Sequence, residues 1–143
     1  MSAIVLTSLG KIKGRQTRSK NGKQVFAFKA IPYGQPPVGE LRFEKPQPAM
    51  PWQRTLDAAK KESPACLQVN VMSPESRFFI GQEDCLYLNV FTPLIPGGGM
   101  SVLLPVIVWI HGGAFCVGSN DSKLYGPELI LDHGVVLVSI NYR

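Results

Sequence analysis

The sequence predicts an α/β fold in which a small antiparallel N-terminal hairpin leads into a mostly parallel central sheet. Three observations point there. Val106-Ile107-Val108-Trp109-Ile110 is an unbroken apolar run without alternation, the pattern of a strand buried on both faces of a parallel sheet. Val135 to Ile140 is a second such run, and a glycine loop and a helix-like stretch lie between the two. That order is the crossover unit of α/β folds. Asn21-Gly22, the strongest short hairpin signal, separates two β-rich segments at residues 3–8 and 25–31.

The elements follow in order. The opening MSAIVLTSLG is apolar, has no basic residues ahead of it and is shorter than most signal-peptide cores. It reads as the first strand. Val25, Phe26 and Phe28 suit a pleated, half-buried surface. Pro32, Pro36, Pro37, Pro46, Pro48 and Pro51 make residues 32–51 an irregular surface segment, because proline lacks the N–H a ladder needs. Residues 52–82 carry no clear period, and Ser73-Pro74-Glu75-Ser76 reads as a turn or a short helix start. Leu86 to Phe91 is a strand closed by Pro93, and Gly97-Gly98-Gly99 a flexible turn. Residues 124–132 read as a helix, with Pro127 near its first turn and Gly134 as its stop. The sequence ends on Asn141-Tyr142-Arg143 directly after a core strand, which reads as a sheet interrupted.

Composition narrows the function classes. The 143 residues are 45% hydrophobic and 17% charged, which is globular rather than disordered. No run approaches the ~20 apolar residues of a membrane span. The net charge is +5, and twelve of the fifteen Lys and Arg residues fall within positions 1–61. They are scattered through strand and turn patterns, so they read as a solvated face and not as a nucleic-acid patch. Three cysteines, Cys66, Cys85 and Cys116, allow at most one internal bridge and offer no paired zinc spacing.

The chemistry concentrates at Trp109-Ile110-His111-Gly112-Gly113-Ala114-Phe115. Two glycines directly after a buried strand let backbone N–H groups face a cleft. Such donors suit a phosphate or the oxyanion of acyl transfer. A tight structural turn is the plain alternative. A phosphate loop is disfavoured because no G-K-[ST] follows.

The surrounding blocks carry a resemblance. They are Phe28-Lys29-Ala30-Ile31-Pro32-Tyr33-Gly34, Pro36-Pro37-Val38-Gly39 with Leu41-Arg42-Phe43, and Trp52 followed by Asp57-Ala58. Glu83-Asp84-Cys85-Leu86-Tyr87-Leu88-Asn89-Val90 and Val138-Ser139-Ile140-Asn141-Tyr142-Arg143 complete the set. Together with the HGGG-type loop, the chain resembles the type-B carboxylesterase/cholinesterase family, in particular its invertebrate carboxylesterases, over nearly its whole length. It departs from the family pattern in three places. Ala30 stands where glycine is usual, Gly34 where alanine is usual, and Ala114 at the third glycine of the loop.

The resemblance implies residues 1–143 to be the N-terminal part of one α/β-hydrolase domain. It implies a serine acyl-enzyme mechanism with no metal or cofactor and a small-molecule carboxylic ester as substrate. Gly113 and Ala114 match the two loop donors of the oxyanion hole, and the residue after the nucleophile would supply a third. Gly112 allows the turn, and Phe115 either lines the cleft or packs beneath it. Cys66 and Cys85 match the family's first disulfide; two reduced thiols are the alternative. Arg42 and Glu83 match a structural salt bridge. Cys116 has no family partner and is expected to be a small buried residue beside the loop.

His111 is not the catalytic histidine, since triad order in this fold is Ser, then acid, then His. His133 reads as a surface or capping residue. No G-x-S-x-G elbow occurs in the sequence, so the catalytic Ser, acid and His are expected outside these residues. Asn120-Asp121-Ser122 is a glycosylation sequon, which matters only on the secretory path.

Three functions compete: an esterase, a non-catalytic cholinesterase-like adhesion protein, and an inactive truncated product. The intact loop glycines favour the first for the parent protein. The ester and the oligomeric state stay open. Lack of a clear signal peptide slightly favours the cytoplasm, and a disulfide would favour secretion.

Overall fold

A computed structural model describes residues 2–71, 79–95 and 103–143. The expected turns at Ser73–Ser76 and Gly97–Gly99 lie outside the described residues. The chain opens with three antiparallel strands, β1 (Ser2–Thr7), β2 (Gly10–Arg18) and β3 (Gln24–Pro32). The polar, basic stretch that reads as a connection is therefore itself a strand. It alternates, with Ile12 and Gly14 buried and Lys11 and Arg15 exposed. Asn21-Gly22 joins β2 to β3, so residues 25–31 pair with β2 and not with residues 3–8.

Strand β3 is interrupted at Ala30, where the register shifts between Phe28 and Ile31. Ala30 sits in the left-handed region with φ 54°. That is a backbone conformation in which a Cβ is strained. The family's usual glycine at this position has a physical reason.

The proline-rich segment is irregular apart from a 3-10 turn at Gly39–Leu41. Strand β4 (Leu56–Asp57) adds to β2 in parallel, and β5 (Gln68–Val69) pairs with β6 (Phe79–Ile80) as a separate antiparallel ribbon. Strands β7 (Tyr87–Thr92), β8 (Val106–Ile110) and β9 (Val136–Ile140) complete a seven-stranded sheet of order β1-β2-β3-β7-β9-β8. The sheet is mixed. Of its main pairings only β8 with β9 is parallel, so the expectation of a mostly parallel sheet is corrected.

The sheet buries apolar residues on both faces. Val25 and Ala27 pack with Phe91, Leu131 and Leu137 on one side. Phe28 packs with Ile12 and Ala58 on the other, with Phe26 and Val90 at its margin. The alternation along β3 is the two-residue period of a strand.

Two further expectations change. Val106 to Ile110 is a strand, but all five residues are exposed, at 38–59%. Among the described residues strand β8 is the edge of the sheet and pairs only with β9. Hydrophobicity identified the strand; burial depends on what lies over it. The expected helix at 124–132 is turns followed by a 3-10 helix at Ile130–His133, ended by Gly134 at φ 71°. The Leu124 and Tyr125 N–H groups turn back onto Asp121 O, and the poor helix formers Gly126 and Pro127 follow. The 3-10 helix is held by Ser19 Oγ donating to Asp132 Oδ1 at 2.5 Å, next to the Asn21-Gly22 turn.

Candidate functional site

The glycine loop leaves the end of β8 and turns at once. His111 is 6% exposed, and its ring stacks on Tyr142 at 4.6 Å between centroids. Tyr142 Oη donates to His111 O at 3.0 Å. His111 is thus packed under the loop. His133 is exposed in the last turn of the 3-10 helix.

Residues 113–117 form one tight turn. The Cys116 and Val117 N–H groups both donate to Gly113 O, at 2.9 and 3.0 Å. Gly113 has φ 129°, and a Cβ there would fall 1.8 Å from Val117 O. Only glycine fits. Ala114 and Phe115 follow with φ 53° and 59°, two successive left-handed residues. Each carries a Cβ in a conformation that costs about 1–2 kcal/mol. The N–H groups of Gly113 and Ala114 make no hydrogen bond among the described residues.

The loop borders a cavity of about 540 Å³, lined by Pro37, Arg42, Phe43, the Cys66–Cys85 pair, Gln68, Glu83, His111, Phe115, Tyr142 and neighbouring residues. Gly112, Gly113 and Ala114 are not among its lining residues, and Gly112 is exposed. Phe115 is 93% exposed and meets Tyr142 edge-on at 6.5 Å, so it lines the opening and does not pack beneath the loop. Cys116 is exposed, against the expectation of a buried residue, and lines the same cavity.

The remaining expected residues meet at the same cavity. Cys66 and Cys85 form a disulfide with Cα atoms 4.9 Å apart. Arg42 Nε lies 2.6 Å from Glu83 Oε1. Arg42 is about half exposed, so this ion pair contributes only ~0.2–1 kcal/mol. It ties the proline-rich segment to the chain entering β7.

Three asparagines at the site carry a structural role that the sequence did not reveal. Asn89, Asn120 and Asn141 are fully buried and linked. Asn89 Nδ2 donates to Asn120 O at 2.9 Å, and the Asn120 N–H donates to Asn141 Oδ1 at 2.8 Å. Asn141 Nδ2 donates to Pro64 O at 2.8 Å, and Ser63 Oγ donates to Asn120 Oδ1 at 2.7 Å. Asn89 Oδ1 accepts the Ala30 N–H at 2.9 Å, which satisfies the bulge. Buried amides are tolerated because each polar group finds a partner. This network fixes the chain just after the glycine loop. It also places the sequon's Asn120 out of reach of solvent.

Electrostatics near the site are local. Lys29 is buried and pairs with Glu62, which also accepts from Ser122 Oγ at 2.7 Å. Burial pushes the Glu62 carboxyl up, but the hydrogen bonds from Lys29 and Ser122 and the Lys29 charge outweigh it, and its pKa is lowered. Burial raises the Tyr33 phenol, which donates to Asn141 O at 2.8 Å. Tyr87 is pushed up to about 12 by burial and by the Asp84 carboxylate. Among the described residues no group of three or more His, Cys, Asp or Glu is arranged to hold a metal ion. No helix among them is long and apolar enough to cross a membrane.

Known proteins match this arrangement. The carboxylesterase family model matches residues 1–143. The chain is 43% identical over 140 residues to a juvenile hormone esterase of Tribolium castaneum, covering 98% of this chain and 23% of that protein. It is 45% identical over 141 residues to a carboxylic ester hydrolase of Bombus ignitus, covering 97% and 24%. Among solved structures, the juvenile hormone esterase of Manduca sexta with OTFP covalently attached superposes with a TM-score of 0.86 at 39% identity, covering 100% of this chain and 27% of that one. A carboxylesterase of Geobacillus stearothermophilus gives 0.79 at 38% identity, covering 98% and 26%. The chain therefore spans about a quarter of the length of the relatives it matches. With the match running through every residue from the first strand to the glycine loop and β9, the chain belongs to the carboxylesterase family.

Proposed function

We propose that this chain is the N-terminal segment of a serine carboxylesterase and supplies two of the three donors of its oxyanion hole. One observation carries the reading. The adjacent N–H groups of Gly113 and Ala114 have no partner among the described residues and sit on a loop that borders a 540 Å³ cavity.

In the whole enzyme a serine hydroxyl adds to the ester carbonyl, and its proton passes to a histidine. The carbonyl oxygen becomes an oxyanion held by these two N–H groups and a third. Collapse expels the alcohol, and water then releases the acid. Losing one such donor costs roughly 3–4 kcal/mol of transition-state stabilisation. Phe115 borders the substrate, whereas Gly112 has an ordinary φ and open space at its Cβ position, so the turn does not depend on a glycine there. Alanine at 114 keeps the donor, because the bond comes from the backbone N–H. His111 has a packing role.

No G-x-S-x-G elbow occurs among the 143 residues, so this chain alone is not expected to hydrolyse an ester. The Cys66–Cys85 bond supports an oxidising compartment and outweighs the slight preference for the cytoplasm drawn from the N-terminus. The intact loop glycines support an enzyme over an adhesion protein.

The test is Gly113→Ala in the esterase-length polypeptide, assayed on a p-nitrophenyl ester. The added Cβ must displace Val117 O, 1.8 Å away, and so rotate the donor. A fall in kcat of about 100-fold with KM nearly unchanged is expected. An unchanged kcat in the folded variant refutes the assignment.

A further inference from the structure

The disulfide-closed segment reaches the glycine loop through one side chain. Gly118 N–H donates to Gln68 Oε1 at 2.6 Å, and Gln68 Nε2 donates back to Gly118 O at 2.8 Å. The same Nε2 donates to Cys66 O at 2.9 Å, which ties the amide to its own backbone beside the disulfide. Gln68 is also held by its place in β5, opposite Ile80.

We propose that Gln68 is a positioning residue for the oxyanion loop, clamping Gly118 and thereby fixing the direction of the Gly113 and Ala114 N–H groups. This rests on the oxyanion reading of those two groups. The N–H and C=O of Gly118 belong to successive peptide planes. A side-chain amide bonded to both holds the φ and ψ between them.

Gly118 is where that matters. Its φ is 121°, and a Cβ would fall 2.3 Å from His111 Nδ1 and 2.5 Å from Gly112 O. The last residue of the loop thus lies directly on the first two. Its neighbour Val117 is bonded to Gly113 through N–H to O at 3.0 Å, and the Val117 carbonyl fills the space a Gly113 side chain would take. A rotation at Gly118 therefore moves Val117, and a movement of Val117 turns the Gly113 peptide. Glutamine suits the clamp because one planar group both accepts and donates. Leucine can do neither, and an ionised glutamate can only accept.

Two variants test this in the esterase-length polypeptide. Gln68→Leu removes both bonds to Gly118 and the one to Cys66 O, and Gln68→Glu keeps an acceptor for the Gly118 N–H while facing Gly118 O with a second oxygen. The expected order of kcat is wild type, then Gln68→Glu, then Gln68→Leu. The leucine variant should lose about tenfold or more in kcat with KM within about twofold, because a misaimed donor is felt in the transition state and not in ester binding. A folded Gln68→Leu enzyme with kcat within about twofold of wild type overturns the proposal. So does a variant that melts earlier but turns over normally below its transition. If the leucine variant does not fold, the same criterion applies to Gln68→Glu.

Amide hydrogen exchange separates this idea from the reading beneath it. Faster exchange at Gly118, Cys116 and Val117, the loop amides that are hydrogen-bonded, supports the clamp in Gln68→Leu even if the wild-type enzyme proves inactive, an outcome that sinks only the esterase reading. Unchanged exchange at all three in a folded variant overturns the clamp while leaving that reading intact.

Discussion

Replacing Asn120 by alanine removes the centre of the buried amide network while leaving its backbone bonds in place. The Asn120 N–H still donates to Asn141 Oδ1, and its carbonyl still accepts from Asn89. What is lost is the side chain. Its Oδ1 accepts from Ser63 Oγ at 2.7 Å, and its Nδ2 makes two longer contacts, to Tyr87 O at 3.3 Å and Ser139 O at 3.4 Å. Tyr87 O keeps the Asn141 N–H at 3.0 Å, so it is not orphaned. The buried Ser63 hydroxyl keeps only the long bond it accepts from Asn141 Nδ2 at 3.4 Å and loses the acceptor for its own proton, and an unsatisfied buried donor costs about 1–3 kcal/mol. The space left by a fully buried amide adds about 1 kcal/mol. The sum is a destabilisation of about 2–4 kcal/mol, a large share of a domain's stability. Urea unfolding followed by circular dichroism reads it as a drop in midpoint at constant slope. A loss below ~0.5 kcal/mol refutes the network as described. The same burial predicts that the sequon is silent: peptide mapping after secretory expression should find Asn120 unmodified. A folded protein carrying a glycan there contradicts its placement.

Two smaller perturbations follow from single residues. Ala30→Gly relieves a left-handed alanine at the β3 bulge, and the gain in the folded state exceeds the entropy added to the unfolded chain. A stabilisation of about 0.5–1 kcal/mol is expected in the same urea assay; a loss contradicts the strain argument. Glu62 has a depressed pKa in the fold, so it adds stability above its ordinary value of 4.5 and loses that contribution as pH falls through the folded value. Glu62→Gln should be less stable than wild type at neutral pH and converge on it in acid. Parallel pH profiles of the two proteins rule this out.

Much of the site could be read from the sequence, and the reason is steric. Gly113 can be nothing else, because Val117 O occupies its side-chain position, so the chemistry of the loop is written in its composition. The apolar runs of β8 and β9 were legible as strands for the same kind of local reason. Their surroundings were not. Val106 to Ile110 carries the pattern of a buried strand and is exposed in a chain that spans about a quarter of its relatives' length. Strand β2 was hidden because only Ile12 and Gly14 mark its inner face among lysines and arginines. The helix at 124–132 failed where Gly126-Pro127 follows a turn already closed on Asp121. Gln68 carried no signal, and Asn120 was legible only as a sequon, because the buried partners of a polar amide leave no local signature. Their partners lie far along the chain: Gln68 meets Gly118 across 50 residues, and Asn120 meets Ser63 across 57.

The central claim is that Gly113 and Ala114 hold the oxyanion. A crystal structure of the esterase-length polypeptide with a trifluoromethyl ketone tests it most directly. Addition of the serine to the ketone carbonyl gives a tetrahedral adduct whose oxygen stands where the oxyanion forms. That oxygen should lie about 2.7–3.1 Å from both the Gly113 and the Ala114 nitrogen. An adduct oxygen held by other donors, with these two N–H groups turned away from it, contradicts the account.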